Sequence, residues 1–425
     1  MYQRLKGTKD IFLKEAKAYE FIKNTFFDIV KKYNYKYLET PIIETTDLFV
    51  RTSGEFSDIV NKEMYVFNSK SGKSIALRPE ATAPAIRAII ENKLTQNHVH
   101  KVFYYGNIYR YERPQKGRYR EFRQGGVENL LPKTPELNFE ILFLANSFLQ
   151  QLQIKNYILQ INNLGNDLTR KKYNEELVKY FKKHEDKLSE INKNRLQNNV
   201  LRILDDKEQA NEKFIIEAPQ IIDFLSEQEQ ADFQKLQNLL KQHNINFEIN
   251  PSLVRGLDYY NDVVFEFVST SEALGSKSTI LAGGRYDGMV KQFSGPDLSS
   301  IGFAFGVERL VEIILFNQEK YNLDDELDIL ICYLNENEKD EIINIALELR
   351  KEYSVELHYE NLNLKKMFKK SDRLKPKMLI FKELGSQFNE IKIKFLTLNK
   401  ELELSFTNIE SFKTKINEVI NENNF

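Results

Sequence analysis

A single cysteine, Cys332, no tryptophan and five scattered histidines deny this chain of 425 residues several kinds of chemistry. One thiol excludes an intramolecular disulfide framework and a cysteine-cluster zinc site. The histidines show no metal-ligand spacing, so no protein-held metal is expected. Cys332 sits in an apolar, strand-like run and reads as a buried structural thiol. Net charge is scarce too: 61 Lys plus Arg against 62 Asp plus Glu leave −1, so no global basic field draws nucleic acid. Any RNA contact has to come from local patches, and no DNA partner is expected. No segment approaches a membrane span, and the opening MYQRLKGTKDIF lacks the apolar core of a signal peptide. A cytoplasmic protein with two or three domains and no membrane partner is expected.

What is present is concentrated. Arg255-Gly256-Leu257-Asp258-Tyr259-Tyr260 packs a cation, a turn glycine, an acid and two phenols into six residues. The alternating Asp262 to Phe267 follows, so the hexapeptide feeds a half-buried strand. Arginine there suits a carboxylate or phosphate, and the tyrosines suit a small polar ligand. An ordinary turn is the plainer alternative.

Lys101 to Arg123, KVFYYGNIYRYERPQKGRYREFR, carries seven positive charges against Glu112 and Glu121, interleaved with aromatics. Val102 to Tyr111 and Arg118 to Gln124 read as strands around a turn at Pro114 to Gly117. Such a hairpin can cradle phosphates and stacked bases, or simply be a charge-protected sheet edge. Leu77 to Pro84, LRPEATAP, precedes a helix from Ala85 to Glu91, with Thr82 as its cap and Pro84 in its first turn. Glu80 is then either a surface charge near the helix's positive end or a fixed anion awaiting an ammonium group. Ile301 to Leu310, IGFAFGVERL, enters a helix with Arg309 in its first turn. Ala282 to Gly288, AGGRYDG, reads as a second glycine-rich turn. Neither has dinucleotide or P-loop spacing. Gly72-Lys73-Ser74 fails as a P-loop because Phe67 replaces the required first glycine.

Lys17 to Lys32 has helical apolar spacing, and the chain to about Leu149 alternates strands and helices. From about Leu164 to Asn246 it turns charged and helical, most simply a solvated face. After Asn317, strand-like Leu327 to Tyr333, Val355 to Tyr359 and Met378 to Phe381 alternate with helices, predicting a small domain with a largely parallel sheet. Lys365 to Lys377 holds seven basic residues and one acid, Asp372; it reads as an RNA contact or a solvated helix face.

These motifs, in this order, resemble those of the histidyl-tRNA synthetases, class II aminoacyl-tRNA synthetases, over nearly the whole chain. Gly7-Thr8-Lys9-Asp10 resembles the family's opening motif. The segment around Pro41 is similar to motif 1, Tyr109 to Glu128 to motif 2, and Gly302 to Leu310 to motif 3. RGLDYY and AGGRYDG resemble the two histidine-specific signatures. The implied fold is α/β (α+β): a mixed, mostly antiparallel sheet flanked by helices, with a helical insertion and a C-terminal α/β anticodon-binding domain. The implied domains are a catalytic core at 1–163 and 247–317, an insertion at 164–246 that helps clamp the tRNA acceptor arm, and an anticodon-binding domain at 318–425.

The resemblance implies attachment of histidine to tRNA(His) through histidyl-adenylate, with ATP, its accompanying Mg2+, and a homodimer formed through motif 1. It assigns catalysis to Arg110, Arg255 and Gln124. Histidine would be held by Glu80, Ala81, Thr82, Gln124, Glu128, Arg255, Tyr259 and Tyr260. ATP would meet Arg110, Glu112, Arg118, Phe122 and Arg309, and tRNA would meet Arg113, Gln115, Lys116 and Arg120. The chain departs from the family pattern at Ala81, where glycine is usual, and at Arg123, where histidine is frequent; Ala81 is expected to restrict the local backbone. The alternatives are a catalytically inactive paralogue regulating histidine biosynthesis, another class II synthetase, or an RNA-binding protein without catalysis. The first typically lacks RGLDYY and the C-terminal domain, both present here.

Overall fold

The structure is a computed structural model describing residues 2–53, 59–204, 206, 208–209, 212–257, 259–275, 278–383, 389–396, 398 and 400–422; Asp258 of the hexapeptide lies outside them. Two compact units divide the chain, 1–323 and 324–425.

The first unit is built on an eight-stranded sheet. From one edge its strands run Lys36–Tyr37, Lys101–Tyr109, Glu121–Asn129, Ile301–Gly306, Ser278–Arg285, Asn261–Ser269, Tyr157–Asn163 and Phe247–Ile249. Only the two outermost pairings are parallel, so the sheet is mixed and mostly antiparallel, as the resemblance implied. Strand alternation sorts its two faces. Phe103, Val127, Phe303, Phe305, Phe265 and Phe267 point into the main core. Helices Leu13–Lys32, Pro135–Gln151 and Val307–Phe316 cover that face with their apolar stripes. Phe26 meets Phe103, Phe148 and Phe305 edge-on, at centroid separations of 5.8, 5.3 and 4.8 Å.

The opposite parity carries small and polar residues, among them Gln124, Glu128, Ala282, Gly302, Ala304 and Gly306, and this face forms the floor of a cleft. A methyl group on Gly302 would overlap the Glu128 carboxylate, and one on Gly283 would strike the Gly302 carbonyl. The AGGRYDG segment is therefore strand through Arg285 rather than a turn throughout, its glycines permitting close strand packing. Arg285 is fully buried, donating to Asn138 Oδ1 at 2.7 Å and pairing with Asp287 at 3.1 Å.

Helices Asp167–Lys182, Glu190–Asn198 and Glu227–Gln242 fill the predicted helical segment. The first two hide a core of their own, in which Tyr173, Leu177, Phe181, Leu196 and Ile203 pack with Leu253, Val254 and Val264, while Glu227–Gln242 sends Phe233, Leu236 and Leu240 into the main core. A simple solvated face is thus only half the description.

The second unit has a five-stranded sheet ordered Val355–Leu357, Ile329–Cys332, Met378–Phe381, Glu390–Phe395 and Lys400–Ser405. Its first three strands are parallel, but the last two are antiparallel, which corrects the expectation of a largely parallel sheet. Alternation in EIKIKF, with Ile391, Ile393 and Phe395 buried, is the signal that reading passed over. Cys332 is fully buried as expected, its thiol pushed up to about 12 by burial. Among the described residues no helix is long and apolar enough to cross a membrane.

Candidate active site

The helix that follows LRPEATAP begins at Thr82, three residues earlier than its periodicity announced. Its cap is Glu80 rather than Thr82: the carboxylate accepts from the backbone N–H groups of Thr82 at 2.6 Å and Ala83 at 2.9 Å. Glu80 is only 4% exposed, so it is no surface charge. Burial raises its pKa, opposed by those two hydrogen bonds and by the nearby Arg110. Ala81 has φ −115°, a conformation open to any residue, and packs with Ala85, Tyr104 and Ile108. The alanine therefore imposes no backbone restriction, and its side chain lies behind the cavity wall.

A cavity of about 300 Å³ opens over the sheet. Of the thirteen side chains the resemblance assigned to histidine, ATP and catalysis, every one except Ala81 lines it. Two groupings share the space. In one, Glu128 is 1% exposed at the end of its strand, with Tyr104 Oη at 3.1 Å from Oε1 and the Tyr286 hydroxyl donating to Oε2. Desolvation raises the Glu128 carboxyl to about 8; hydrogen bonds from Tyr286, Thr82 and Tyr104 oppose the shift, while the charge of Glu80 adds to it. Tyr259 and Tyr260 stack at 4.6 Å beside it, and Tyr286 closes on Tyr259 edge-on at 5.8 Å.

The other grouping is cationic. Arg118 pairs with Glu112 at 3.2 Å, and Arg110 donates from Nε to the Pro79 carbonyl at 2.8 Å while lying 5.5 Å above the Phe122 ring. Arg309 donates to the Thr279 carbonyl. Burial lowers its pKa, and the charges of Arg118 and Arg110 add to that fall. Arg255 pairs with Glu266 and lies 5.5 Å from the Tyr260 ring, between the two groupings. A polyanion with a planar base fits the arginine end, and a small cation or ring with two nitrogens fits the carboxylate end.

The basic hairpin is less uniform than its sequence. Its strands end at Tyr109 and resume at Glu121, with Gln115 and Arg118 bridging the tip. Only Arg110 and Arg118 of its seven cations line the cavity. Lys101 pairs with Glu140 at 2.6 Å, and Arg123 lies 4.7 Å over Tyr19. Arg113, Gln115 and Lys116 are exposed, outside the cavity; Lys116 comes within 3.9 Å of Glu312. Arg120 is half-buried, stacked 3.9 Å from the Tyr111 ring, and its backbone N–H donates to Gly7 of the opening motif at 2.7 Å.

Sequence reading missed Tyr104, Tyr286, Glu266, Thr279 and Glu308. Tyr286 lay in plain view within AGGRYDG. Glu308 was visible beside Arg309, but nothing in the sequence announced its partners: Oε1 accepts from Arg123 N at 2.8 Å and Tyr19 Oη at 3.2 Å. Burial raises Glu308 to about 7.

A family model described as histidyl-tRNA synthetase matches residues 7–310. The histidine–tRNA ligase of Mycoplasmopsis pulmonis is 44% identical over 419 residues, covering 98% of this chain and 99% of its own. That of Bacillus subtilis is 40% identical over 408 residues, covering 95% and 96%. The solved structure of apo S. aureus histidyl-tRNA synthetase superposes with a TM-score of 0.80 at 31% identity, over 95% of this chain and 97% of that one. An ATP phosphoribosyltransferase regulatory subunit/histidyl-tRNA synthetase from Bacillus halodurans C shares the fold at 22% identity and a TM-score of 0.65, over 90% of this chain and 98% of that one. This chain belongs to the histidyl-tRNA synthetase family.

Proposed function

We propose that the cavity performs both steps of histidine attachment to tRNA(His). The observation that carries this reading is the pairing, in one cavity, of an arginine grouping with a buried Glu80, Glu128 and tyrosine grouping. A histidine carboxylate attacks the α-phosphate of ATP, giving histidyl-adenylate and pyrophosphate; the acyl group then moves to the 3′-hydroxyl of the tRNA's terminal ribose, releasing AMP. Negative charge gathers on the α-phosphate in the first step, so fixed cations stabilise it without reorganising. Arg110 and Arg255 are assigned to that charge. Arg118, Arg309, Glu112 and Phe122 serve the nucleotide, with Phe122 stacking on adenine.

Glu80, Thr82 and Gln124 take the substrate's ammonium group, while Glu128 and Tyr260 meet its two ring nitrogens, with Tyr259 beside them. An apolar isostere leaves these buried groups unpaired and is rejected for that reason. Mg2+ travels with ATP and neutralises phosphate charge. Among the described residues no cluster of three His, Cys, Asp or Glu could hold a metal ion, and Glu112 and Glu266 are engaged by arginines, which suits an ion bound by phosphate oxygens.

The exposed Arg113, Gln115 and Lys116, with Arg120 behind them, are proposed to receive the acceptor end of tRNA. Lys365, Lys366, Lys369, Arg373 and Lys375, all exposed on or just after helix Leu364–Leu374, are proposed to meet the anticodon arm from the 318–425 domain. The catalytic core is assigned to 1–163 and 247–317 and the clamp to 164–246. The reaction is assigned to the cytoplasm. A regulatory paralogue has no need of a complete adenylation site, which favours the enzyme.

Histidine-dependent ATP–pyrophosphate exchange tests the reading. Arg255→Ala is expected to cut exchange on the order of a hundredfold or more. Near-normal exchange by the folded variant would remove Arg255 from the mechanism.

A further inference from the structure

Arg255 lies in a stretch without regular secondary structure, so its long side chain takes its direction from what it touches. Two contacts do this. Glu266, projecting from the central strand Asn261–Ser269, pairs with Nη1 through Oε1. The Tyr260 ring covers the guanidinium at 5.5 Å. Glu266 is itself fixed, because Thr279 Oγ1 donates to its other oxygen at 2.7 Å. Meanwhile Arg255 Nε is buried without a hydrogen-bond partner among the described residues. That atom is enclosed by protein rather than open to the cavity, so an anion would meet the guanidinium at the terminus Glu266 does not hold.

We propose that Glu266 is the positioning residue for Arg255, holding one terminus of the guanidinium so that the other is presented to the substrate anion. This rests on the functional reading of Arg255 above. A carboxylate beside a catalytic cation weakens its field, so its presence needs a return, and the return is orientation: a guanidinium aimed in advance does not have to be ordered in the transition state. Thr279 extends the arrangement, since its hydroxyl steadies Glu266 while its carbonyl accepts from Arg309. One residue of strand Ser278–Arg285 thus serves two arginines of the cavity.

The test is a double-mutant cycle in histidine-dependent ATP–pyrophosphate exchange with the full chain. Glu266→Gln keeps the size and an acceptor but loses the charge that grips Arg255. It is expected to lower kcat on the order of tenfold, with the KM values for histidine and ATP moving less. Thr279→Val, which removes only the hydroxyl steadying Glu266, should show a smaller loss of the same kind. In an Arg255→Ala background neither substitution should cost anything further, because the residue each acts through is gone. Equal losses in both backgrounds would make Glu266 a structural residue and overturn the inference, as would unaltered kcat in Glu266→Gln. If Arg255→Ala alone leaves exchange intact, the functional reading of Arg255 falls first and takes this inference with it.

Discussion

At Glu128 a carboxyl group is almost fully enclosed beside two phenols, and its pKa of about 8 has consequences that can be signed. Free imidazole titrates near 6.5. Between about 6.5 and about 8 the empty site holds a proton and free histidine's ring does not, and a complex holding one shared proton forms without exchange with solvent. Below that window both partners are protonated, so binding must release a proton and weakens as pH falls. Above it neither is, so the proton must be taken up and binding weakens as pH rises. Histidine affinity is therefore expected to plateau across the window. Titration calorimetry in buffers of different ionisation heat would measure the proton count, and Glu128→Gln should lose the upper limb. An unchanged upper limb in that variant would assign the proton elsewhere. The same raised pKa means that the folded chain holds an extra proton between about 4.5 and about 8. This group's contribution to stability accordingly falls as pH rises through that range, and Glu128→Gln should flatten that part of the Tm profile.

The hairpin from Lys101 to Asn129 is the element whose two ends call for different experiments. The resemblance to the histidyl-tRNA synthetases implies a tRNA with an extra 5′ guanosine, which Gln115 or Arg120 would read. The tip is exposed at Gln115, whereas Arg120 is stacked on Tyr111 and half-buried. Gln115→Ala is expected to leave histidine-dependent exchange nearly intact while slowing transfer to tRNA. That loss should shrink on tRNA lacking the extra nucleotide. Equal transfer losses on the two tRNAs would point to a turn-stabilising role instead.

This element also shows what a sequence can and cannot disclose. The strands, the turn and the cavity-lining Arg110, Arg118, Phe122, Gln124 and Glu128 were legible because motif and alternation coincide there. That Arg123 turns to the opposite face, onto Tyr19 and Glu308, follows from strand parity and needed only the correct register. Partners from distant segments were not legible: Glu128 with Tyr286, or Arg255 with the steadied Glu266, depend on which strands become neighbours. Of the two roles expected for Glu80 only the surface charge fails, on burial, and neither included that a carboxylate two residues before a helix can cap it. The last two strands of the second unit were within reach of alternation alone.

On the scale of the molecule, the first unit leaves apolar surface uncovered. Tyr37, Ile42, Ile43, Val66 and Phe67 are 42–51% exposed around the small sheet of Ile43–Thr45, Tyr65–Asn68 and Ser74–Leu77. Single exposed apolar residues mean little, but a group flanking the motif 1 region fits a two-fold interface, which buries the same patch on both copies. We therefore expect a homodimer at micromolar concentration. Ile43→Asp with Phe67→Glu should shift sedimentation toward monomer and reduce exchange. A stable, fully active monomer of the unaltered chain would sink the idea.

The cleft floor has a further consequence for anyone wishing to change what this chain accepts. Pockets are usually enlarged by trimming side chains, and at Gly302 and Gly306 of that floor there is nothing to trim. At those two positions the boundary is main chain, set by strand spacing and indifferent to rotamer. Around them stand Glu128, Tyr259, Tyr260 and Tyr286, where room could be gained, and each of those also supplies polarity to the site. Variants that admit a bulkier substrate should therefore give up recognition of the natural one in the same step, leaving little ground for a broadened enzyme that keeps both.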